Sequence, residues 1–412
     1  MPSGGHNVPI PVSPTPERTR PLALPRGPQQ CRAMDLDNDY PSLADLRRRA
    51  QRRIPHFAWE YLDSGTGDEH AVRRSRKALE EVVLRPAVLK GAPKADLSVN
   101  LMGRTYDMPF GVSPVGMAGL FWPKAEYLLA RTCVKQNLPF GLSTVAAAAP
   151  EDVAGDIGEQ GWFQLYPPEK LEESLDLLKR ARAAGFHTLV LTVDTPGASR
   201  RERQRRGGVK TPPVITPRLL SHVAMRPAWA MAMAPLGMPR VRALDKYPKE
   251  VGADGKVGLG RHRAVDLEFF KQIREAWPGK MVAKGVLIPE DAVMLRDLGC
   301  DGIWVSNHGG RQFDAAPGSA EALPGIRAAL GPDFPVLLDG GIQSGLDVLK
   351  AVALGADMVM LGRGWLWGAA AFGQTGVDHV AHLLREDLLA CLLQMGISRP
   401  AEARGKVLFP AI

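Results

Sequence analysis

The chain is short of cysteine: four in 412 residues, at Cys31, Cys133, Cys300 and Cys391. No two stand at C-x-x-C spacing, so neither a cysteine metal site nor a dithiol motif is expected, and nothing suggests a disulfide framework. Three of them lie in apolar segments and read as small buried hydrophobes, which fits a reducing, cytoplasmic setting. Long apolar runs are also missing, since none approaches the roughly 18–20 residues of a spanning helix. The N-terminus lacks the charged-then-apolar pattern of a leader. The net charge is +8, much of it in Arg47–Arg49 with Arg52 and Arg53, and in the run Arg200–Arg206. Such a balance raises nucleic acid or an anionic membrane as partners. No nucleic-acid module and no aromatic interleaving accompany it, so nucleic acid is not expected.

What the chain does have is a proline-rich start. Prolines stand at 2, 9, 11, 14, 16, 21, 25 and 28 among few large apolar groups. Such a stretch cannot bury enough surface to offset its ordering entropy, so 1–35 is expected to be disordered. Met34-Asp35-Leu36 then opens the first sequence of folded character, and Met34 is a candidate native start. From there 36–412 reads as one domain, for which 45% hydrophobic residues supply ample core. Ser42-x-x-Asp45 resembles a capping box opening a helix through Arg53. Pro55 starts another, with Phe57 and Tyr61 at i,i+4 and Gly65 as its expected C-cap.

From residue 109 a regular alternation begins. Short apolar runs fall at Phe110–Val115, Phe140–Thr144, Trp162–Tyr166, Thr188–Asp194, Met281–Val286, Gly302–Asn307, Val336–Ile342 and Met358–Arg363. Helical periodicity fills most of the gaps, as in Leu171–Ala184, Pro289–Leu298 and Gly345–Leu354, and Val377–Met395 adds a last amphipathic helix. Eight strand–helix units are the number that closes a parallel barrel, so the fold class is α/β, a single (β/α)8 TIM barrel with an N-terminal helical cap. Each run ends in groups suited to a ligand: Ser113; Ser143-Thr144; Gln164 with Tyr166; Thr192 with Asp194; Lys284; His308 with Arg311; Asp339-Gly340-Gly341; Gly362-Arg363. A parallel barrel brings all these ends to one face. The last two also suit a phosphate, with glycines that let backbone N–H groups approach oxygens.

One strand end says most. In Val305-Ser306-Asn307-His308-Gly309-Gly310-Arg311-Gln312, a titratable imidazole and a permanent cation stand three residues apart across two glycines. A histidine can take a proton near neutral pH, and an arginine can hold a planar carboxylate with two parallel bonds. Alone, the stretch could be a solvated turn. With seven other polar strand ends aimed at the same face, it reads as a base beside a carboxylate clamp.

The connection from Asp194 to Met281 spans 87 positions, far more than a barrel loop needs. Its insertion, 205–265, carries the Met-rich apolar stretch 219–234, flanked by positive charge. That stretch suits a lid or oligomer contact, or a peripheral membrane anchor on the inner face of the cell membrane.

Ser306-Asn307-His308-Gly309-Gly310-Arg311-Gln312 resembles the active-site signature of the FMN-dependent α-hydroxy acid oxidases and dehydrogenases. The resemblance runs over roughly residues 40 to 400. It takes in Tyr61-x-x-Ser64-Gly65, Ser113-Pro114-Val115-Gly116, Leu142-Ser143-Thr144, Phe163-Gln164-Leu165-Tyr166, Thr192-Val193-Asp194-Thr195-Pro196, Lys284-Gly285, Asp339-Gly340-Gly341 and Gly362-Arg363. It implies FMN as cofactor and oxidation of an L-2-hydroxy acid to the 2-oxo acid. In that family pattern His308 is the base and Asp194 its carboxylate partner. Arg311 and Arg201 grip the substrate carboxylate, and Tyr61 and Tyr166 bond it or its hydroxyl. Lys284 faces the flavin N1/O2 edge. Ser143, Gln164 and Thr192 bond the polar edge of the ring, and the backbone of Pro114, Val115 and Gly116 lies near N5. Ser306, Asp339, Gly340, Gly341, Gln343, Gly362 and Arg363 hold ribityl and phosphate.

The chain departs from that pattern at Gln343, where many members have arginine, and at Val145, where many short-chain members have tryptophan. The second departure implies a wider pocket and a larger or aromatic side group. Gly116, Phe121-Trp122-Pro123-Lys124 and the insertion are more similar to the membrane-associated mandelate and lactate dehydrogenase branch. Dioxygen or a quinone remains open as acceptor, as does departure of the αC–H as hydride or proton. The resemblance implies a homotetramer. The alternative is a non-catalytic flavin- or phosphate-binding barrel.

Overall fold

The apolar runs are buried on both faces and β-branched or aromatic in good part, the composition of strands in an all-parallel sheet covered by helices. In the computed structural model, which describes Met1 and residues 34–208, 216–247 and 263–409, they form a closed parallel barrel. Its strands are β1 (Phe110–Val112), β2 (Phe140–Ser143), β3 (Gly161–Leu165), β4 (Thr188–Thr192), β5 (Lys280–Val286), β6 (Gly302–Val305), β7 (Val336–Asp339) and β8 (Met358–Leu361). Sequential strands pair in order, and β8 closes onto β1 with Leu361 opposite Val112. Ser143 stands opposite Gln164, and Thr192 opposite Lys284. The register thus lines up the polar residues of neighbouring strand ends.

Several strands stop one to three residues before the ends of the apolar-to-polar runs. The polar residues leave the ladder to build loops, and His308–Gly310 forms a tight 3-10 turn. The helices Leu171–Ala183, Pro289–Asp297 and Gly345–Leu354 lie where the periodicity puts them, and the last helix spans Gln374–Met395. The barrel lumen is filled by Trp162, Val190, Val282, Trp304, Leu337, Met358 and Met360. Below them a small antiparallel hairpin, Val99–Leu101 with Arg104–Tyr106, contributes Leu101 and Tyr106 to the same cluster. Trp162 Nε1 donates to Tyr106 Oη at 3.1 Å. The lumen is therefore a packed floor, and ligand space lies above the strand C-termini.

Three helices cap that face: α1 (Leu43–Arg53), α2 (His56–Asp63) and α3 (His70–Glu80). Ser42 caps α1 by accepting the Asp45 N–H. Gly65 is not the C-cap of α2. The helix ends at Asp63 with extended Ser64 as its cap, and Gly65 has no positive φ. A Cβ there would lie 2.8 Å from the Gly310 carbonyl, so close approach to the His308 turn is what requires glycine.

The insertion after β4 contributes α4 (Glu202–Gly207), α5 (Pro217–Ala224) and α6 (Pro227–Met233). Segments 209–215 and 248–262 lie outside the described residues, as does nearly all of the 1–35 tail with Cys31. The Met-rich stretch is two short helices with two faces. Inward, Trp229 is buried edge-on against Phe57 and donates from Nε1 to the Leu120 carbonyl at 3.1 Å. Outward, Leu220, Met225, Met231, Leu236 and Met238 are exposed. Among the described residues no helix is long and apolar enough to cross a membrane.

Candidate active site

β6 delivers Ser306, and the turn after it delivers His308 in the left-handed region at φ 58°, followed by two glycines also at positive φ. Asn307 holds the turn. Its Oδ1 accepts the Gly310 N–H, and its Nδ2 donates to Ser75 Oγ and to the Pro317 carbonyl. The imidazole is thereby fixed between two partners. Nδ1 lies 3.2 Å from each carboxylate oxygen of Asp194, and Nε2 lies 2.9 Å from Tyr166 Oη. With Asp194 taking the Nδ1 hydrogen, Nε2 carries the lone pair. Gly285, at φ 106°, allows Asp194 so close; a Cβ there would sit 2.4 Å from its Cγ.

Burial lowers the His308 pKa, Asp194 opposes that, and Lys284 and Arg201 add to it. Burial disfavours ionised Asp194, but His308 and Lys284 outweigh it and hold its pKa below the usual carboxylate value. Burial and Asp194 keep the Tyr166 phenol protonated. The result is a neutral imidazole between a carboxylate and a phenol, able to accept a proton at Nε2 and to be stabilised once charged.

Three guanidinium groups lie under and beside this turn. Arg311 donates to the Tyr61 and Leu62 carbonyls at 2.8 and 2.5 Å. Its pKa is pushed down to about 9 by burial, then by Arg363 and Arg201. A cation so crowded by cations gains from an anion beside it. Arg201 bonds Ser199 and the Gln312 side chain. Arg363 donates to the Gly309 carbonyl at 2.6 Å and to that of Ser64. Through these two bonds it braces the turn that carries His308, and its strand-end position leaves the phosphate contact expected of it as a proposal.

A second network spans β5, β6 and β7. Buried Ser306 Oγ accepts from Lys284 Nζ at 2.8 Å and from the His308 N–H at 2.9 Å, and donates to Asp339 Oδ1 at 2.5 Å. Lys284 also pairs with Asp339 at 3.1 Å. A third crosses β2 to β4: Ser143 donates to Gln164 Oε1 at 2.8 Å, and Gln164 Nε2 donates to Thr192 at 2.9 Å. Ser113 Oγ, at the end of β1, is buried without a hydrogen-bond partner. Gly340 and Gly341 are at positive φ, and Gly362 caps the ten-residue helix Arg363–Phe372. An orphaned hydroxyl, a fixed row of amide and hydroxyl groups, a buried ammonium and an open helix N-terminus beside two glycines fit a flavin ring at one end and a phosphate at the other.

The loops after β1 and β2 meet beside Tyr61. A Cβ on Gly116 would meet Val145 Cγ2 at 2.7 Å and Tyr61 Oη at 3.7 Å. Phe121 packs against the Tyr61 ring, centroids 5.7 Å apart. Pro114 and Val115 lie on the same loop, with Val115 Cγ2 at 3.2 Å from where a Gly362 Cβ would be. The Gln343 N–H bonds Asp347, which Arg76 grips with two nitrogens at 2.5 and 2.9 Å. Among the described residues no group of three or more His, Cys, Asp or Glu side chains is placed to hold a metal ion.

The model of the FMN-dependent dehydrogenase family matches residues 50–409. The chain belongs to that family. Its cofactor is FMN, and it is an enzyme, an FMN-dependent oxidoreductase. It is 38% identical over 372 residues to an L-lactate dehydrogenase of Alcaligenes faecalis, covering 89% of this chain and 98% of that one. An L-lactate dehydrogenase of Xanthomonas euvesicatoria pv. vesicatoria is 39% identical over 364 residues, covering 87% and 94%. Among solved structures, the monotopic membrane protein (S)-mandelate dehydrogenase superposes with a TM-score of 0.82 at 32% identity, covering 89% of this chain and 98% of that one. A mandelate oxidase with (S)-2-phenylpropionate gives 0.76 at 34% identity, covering 89% and 97%.

Several members of this site are absent from the sequence reading. Arg203 binds Glu60 and Glu69 and reaches Asp63, joining α4 to the cap. Arg76 supports the Gly341–Gln343 loop. Asp314 caps α3 by accepting the Asp68 and Ala71 N–H groups. Buried Glu126 accepts the Gly119 and Ala147 N–H groups, tying the β1 and β2 loops. Apart from Glu126 and Gly119, which are seven residues apart, the partners are 21 or more positions apart in sequence, so no local spacing announces them.

Proposed function

We propose that this FMN-dependent dehydrogenase oxidises (S)-2-hydroxy acids to 2-oxo acids, with preference for a bulky or aromatic side group. The observation that carries the reading is the Tyr166–His308–Asp194 chain beside the Arg311 and Arg201 guanidiniums. A 2-hydroxy acid presents a carboxylate and a hydroxyl one carbon apart, and this is a clamp with a base next to it. Arg311 and Arg201 bind the carboxylate, and Tyr61 and Tyr166 orient it and the hydroxyl. His308 Nε2 takes the hydroxyl proton, and Asp194 stabilises the imidazolium that forms. FMN, when bound, accepts the two electrons. Ser143, Gln164 and Thr192 would hold its ring, with the 114–116 backbone beside it, and Lys284 would place positive charge at its pyrimidine edge. Ser306, Asp339, Gly340, Gly341, Gln343, Gly362 and Arg363 would hold the ribityl and phosphate groups. Gly116, Val145 and Tyr61, packed together, would form the wall against which the side group lies.

The partners are a 2-hydroxy acid and an electron acceptor. The outward face of α5 and α6 supports a peripheral membrane contact through 219–234, and with it a quinone rather than dioxygen as acceptor. The kinship of the fold to a monotopic membrane protein agrees with that.

The test is anaerobic mixing with lactate, mandelate and longer 2-hydroxy acids, following flavin bleaching. The wild type is expected to bleach fastest with the aromatic acid, and His308→Ala to stay yellow and folded with reduction slowed by on the order of 10²–10⁴-fold. Bleaching of the variant at the wild-type rate by every acid would remove His308 from its role. Readmitting air then measures peroxide, expected to be slow if a quinone is the natural acceptor.

A further inference from the structure

The arginine cluster of α1 takes no part in the site described above. Arg48, Arg49, Arg52 and Arg53 stand at i, i+1, i+4 and i+5, so the helix carries two like-charged i,i+4 pairs on adjoining ridges, an arrangement that destabilises a helix by itself. The structure shows what these residues surround. Together with Arg226, at the start of α6, they line a cavity of about 530 Å³ whose other walls are Tyr40, Asp45, Met225, Pro227 and Ala228. Five arginines thus line a space with one lining carboxylate, and that carboxylate, Asp45, is already paired with Arg48.

The guanidiniums are oriented and far from saturated. Arg49 and Arg53 both donate to the Ala371 carbonyl, at 3.2 and 2.6 Å, near the end of the helix Arg363–Phe372. Arg49 also reaches Tyr40 Oη at 3.0 Å and lies over the Phe372 ring at 4.1 Å. Arg53 lies over the Trp122 ring at 4.2 Å. Arg226 donates to the Ile54 carbonyl at 3.2 Å and to that of Met225 at 3.0 Å. Each group has five N–H donors, and these bonds use only one or two of them. Arg53 Nε is buried without a partner. Burial and the charge of Arg49 both work against the charged form of Arg53. Exposed Arg52 makes no ion pair among the described residues.

We propose that this cavity is a binding site for a phosphate group, separate from the flavin and substrate sites. Arginine forks match phosphate oxygens with paired donors, and several forks converging on one cavity favour a compact, multiply charged anion over a monocarboxylate. The volume takes a phosphate with a small attached group. The same chemistry belongs to a soluble phosphorylated metabolite and to an anionic phospholipid headgroup. The cavity opens beside exposed Met225, next to the apolar outer face of α5 and α6.

The experiment uses the FMN-loaded protein, so that the flavin phosphate site is filled. Pyrophosphate binding is measured by calorimetry, and vesicle binding by co-sedimentation, with phosphatidylcholine alone and with added phosphatidylglycerol. The comparison is with Arg48→Gln/Arg52→Gln, and with Arg226→Gln in case the double variant does not fold. Flavin absorbance and melting temperature report folding. Pyrophosphate binding weakened at least tenfold in the variants supports the site with a soluble ligand. Binding only to the phosphatidylglycerol vesicles, weakened by the same factor, supports it with a lipid headgroup. No binding of either probe, or binding indifferent to the variants, overturns it. The proposal does not rest on the catalytic reading or on the membrane contact. Leu220→Ser/Met231→Ser would abolish vesicle binding through the apolar face and leave pyrophosphate binding intact.

Discussion

At the scale of single residues, the chemistry turns on which nitrogen of His308 is free and at what pH. Asp194 holds Nδ1, so the lone pair is at Nε2, and burial keeps the ring neutral. A base must be neutral to accept a proton. With its pKa lowered from the ordinary 6.5, the reduction rate is fully present at neutral pH and falls as pH drops through that lowered pKa. Asp194→Asn removes the one large influence that raises the His308 pKa. The acid limb should therefore move to lower pH, while the limiting rate falls by on the order of 10²–10⁴-fold because the imidazolium loses its counter-charge. Stopped-flow reduction across pH measures both, and an acid limb moving to higher pH would contradict the pairing. These residues were legible in the sequence because strand ends of a parallel barrel converge, and because His308 and Arg311 lie in one short segment. The bracing role of Arg363 was not legible, since a strand-end position fixes where a side chain starts and not which carbonyl it reaches.

At the scale of elements, the proposed function gives the loops after β1 and β2 the task of selecting the side group. Gly116 on one and Val145 on the other pack against each other beside the Tyr61 hydroxyl, and the Met117 N–H bonds the Val145 carbonyl at 2.9 Å. Val145→Trp should fill the side-group space that the proposed function places next to them. The expected result is kcat/KM for an aromatic 2-hydroxy acid falling by roughly 10–200-fold relative to lactate, the range a hydrophobic pocket can discriminate. An unchanged ratio would place the side group elsewhere. The eight strands and the helices between them were readable from period and polarity, with ends displaced by a few residues where polar groups left the ladder. The capping glycine of α2 was misread because two demands produce the same residue. A left-handed turn and a close backbone approach both call for glycine, and only the fold shows that Gly310 is the neighbour. The ion cluster of Arg203 with Glu60, Glu69 and Asp63 was invisible for another reason: its members are 134 to 143 positions apart.

At the scale of the whole molecule, the face that carries the outer side of α5 and α6 is distinct in kind from an ordinary surface. Exposed Leu220, Met225, Met231, Leu236 and Met238 cluster within one short segment flanked by arginines. Apolar groups ringed by cations suit the interfacial region of an anionic bilayer. Leu220→Ser with Met231→Ser should abolish co-sedimentation with phosphatidylglycerol vesicles and leave turnover with a soluble dye acceptor within about twofold, since neither side chain reaches the site. Continued sedimentation would assign the face to another role.

Trp229 gives the insertion a consequence for anyone who wants a freely soluble enzyme. Its indole is wedged against Phe57 of the cap and bonded to the carbonyl of Leu120, in the short helix Ala118–Phe121 that follows β1. Excising 219–234 would uncover the cap and unfasten that helix, whose Phe121 packs on Tyr61, so a truncated protein would lose catalysis for reasons unrelated to membranes. The segment behaves as a roof tile pegged from beneath: its weather side can be repainted, residue by residue, but the tile cannot be lifted off without opening the room below.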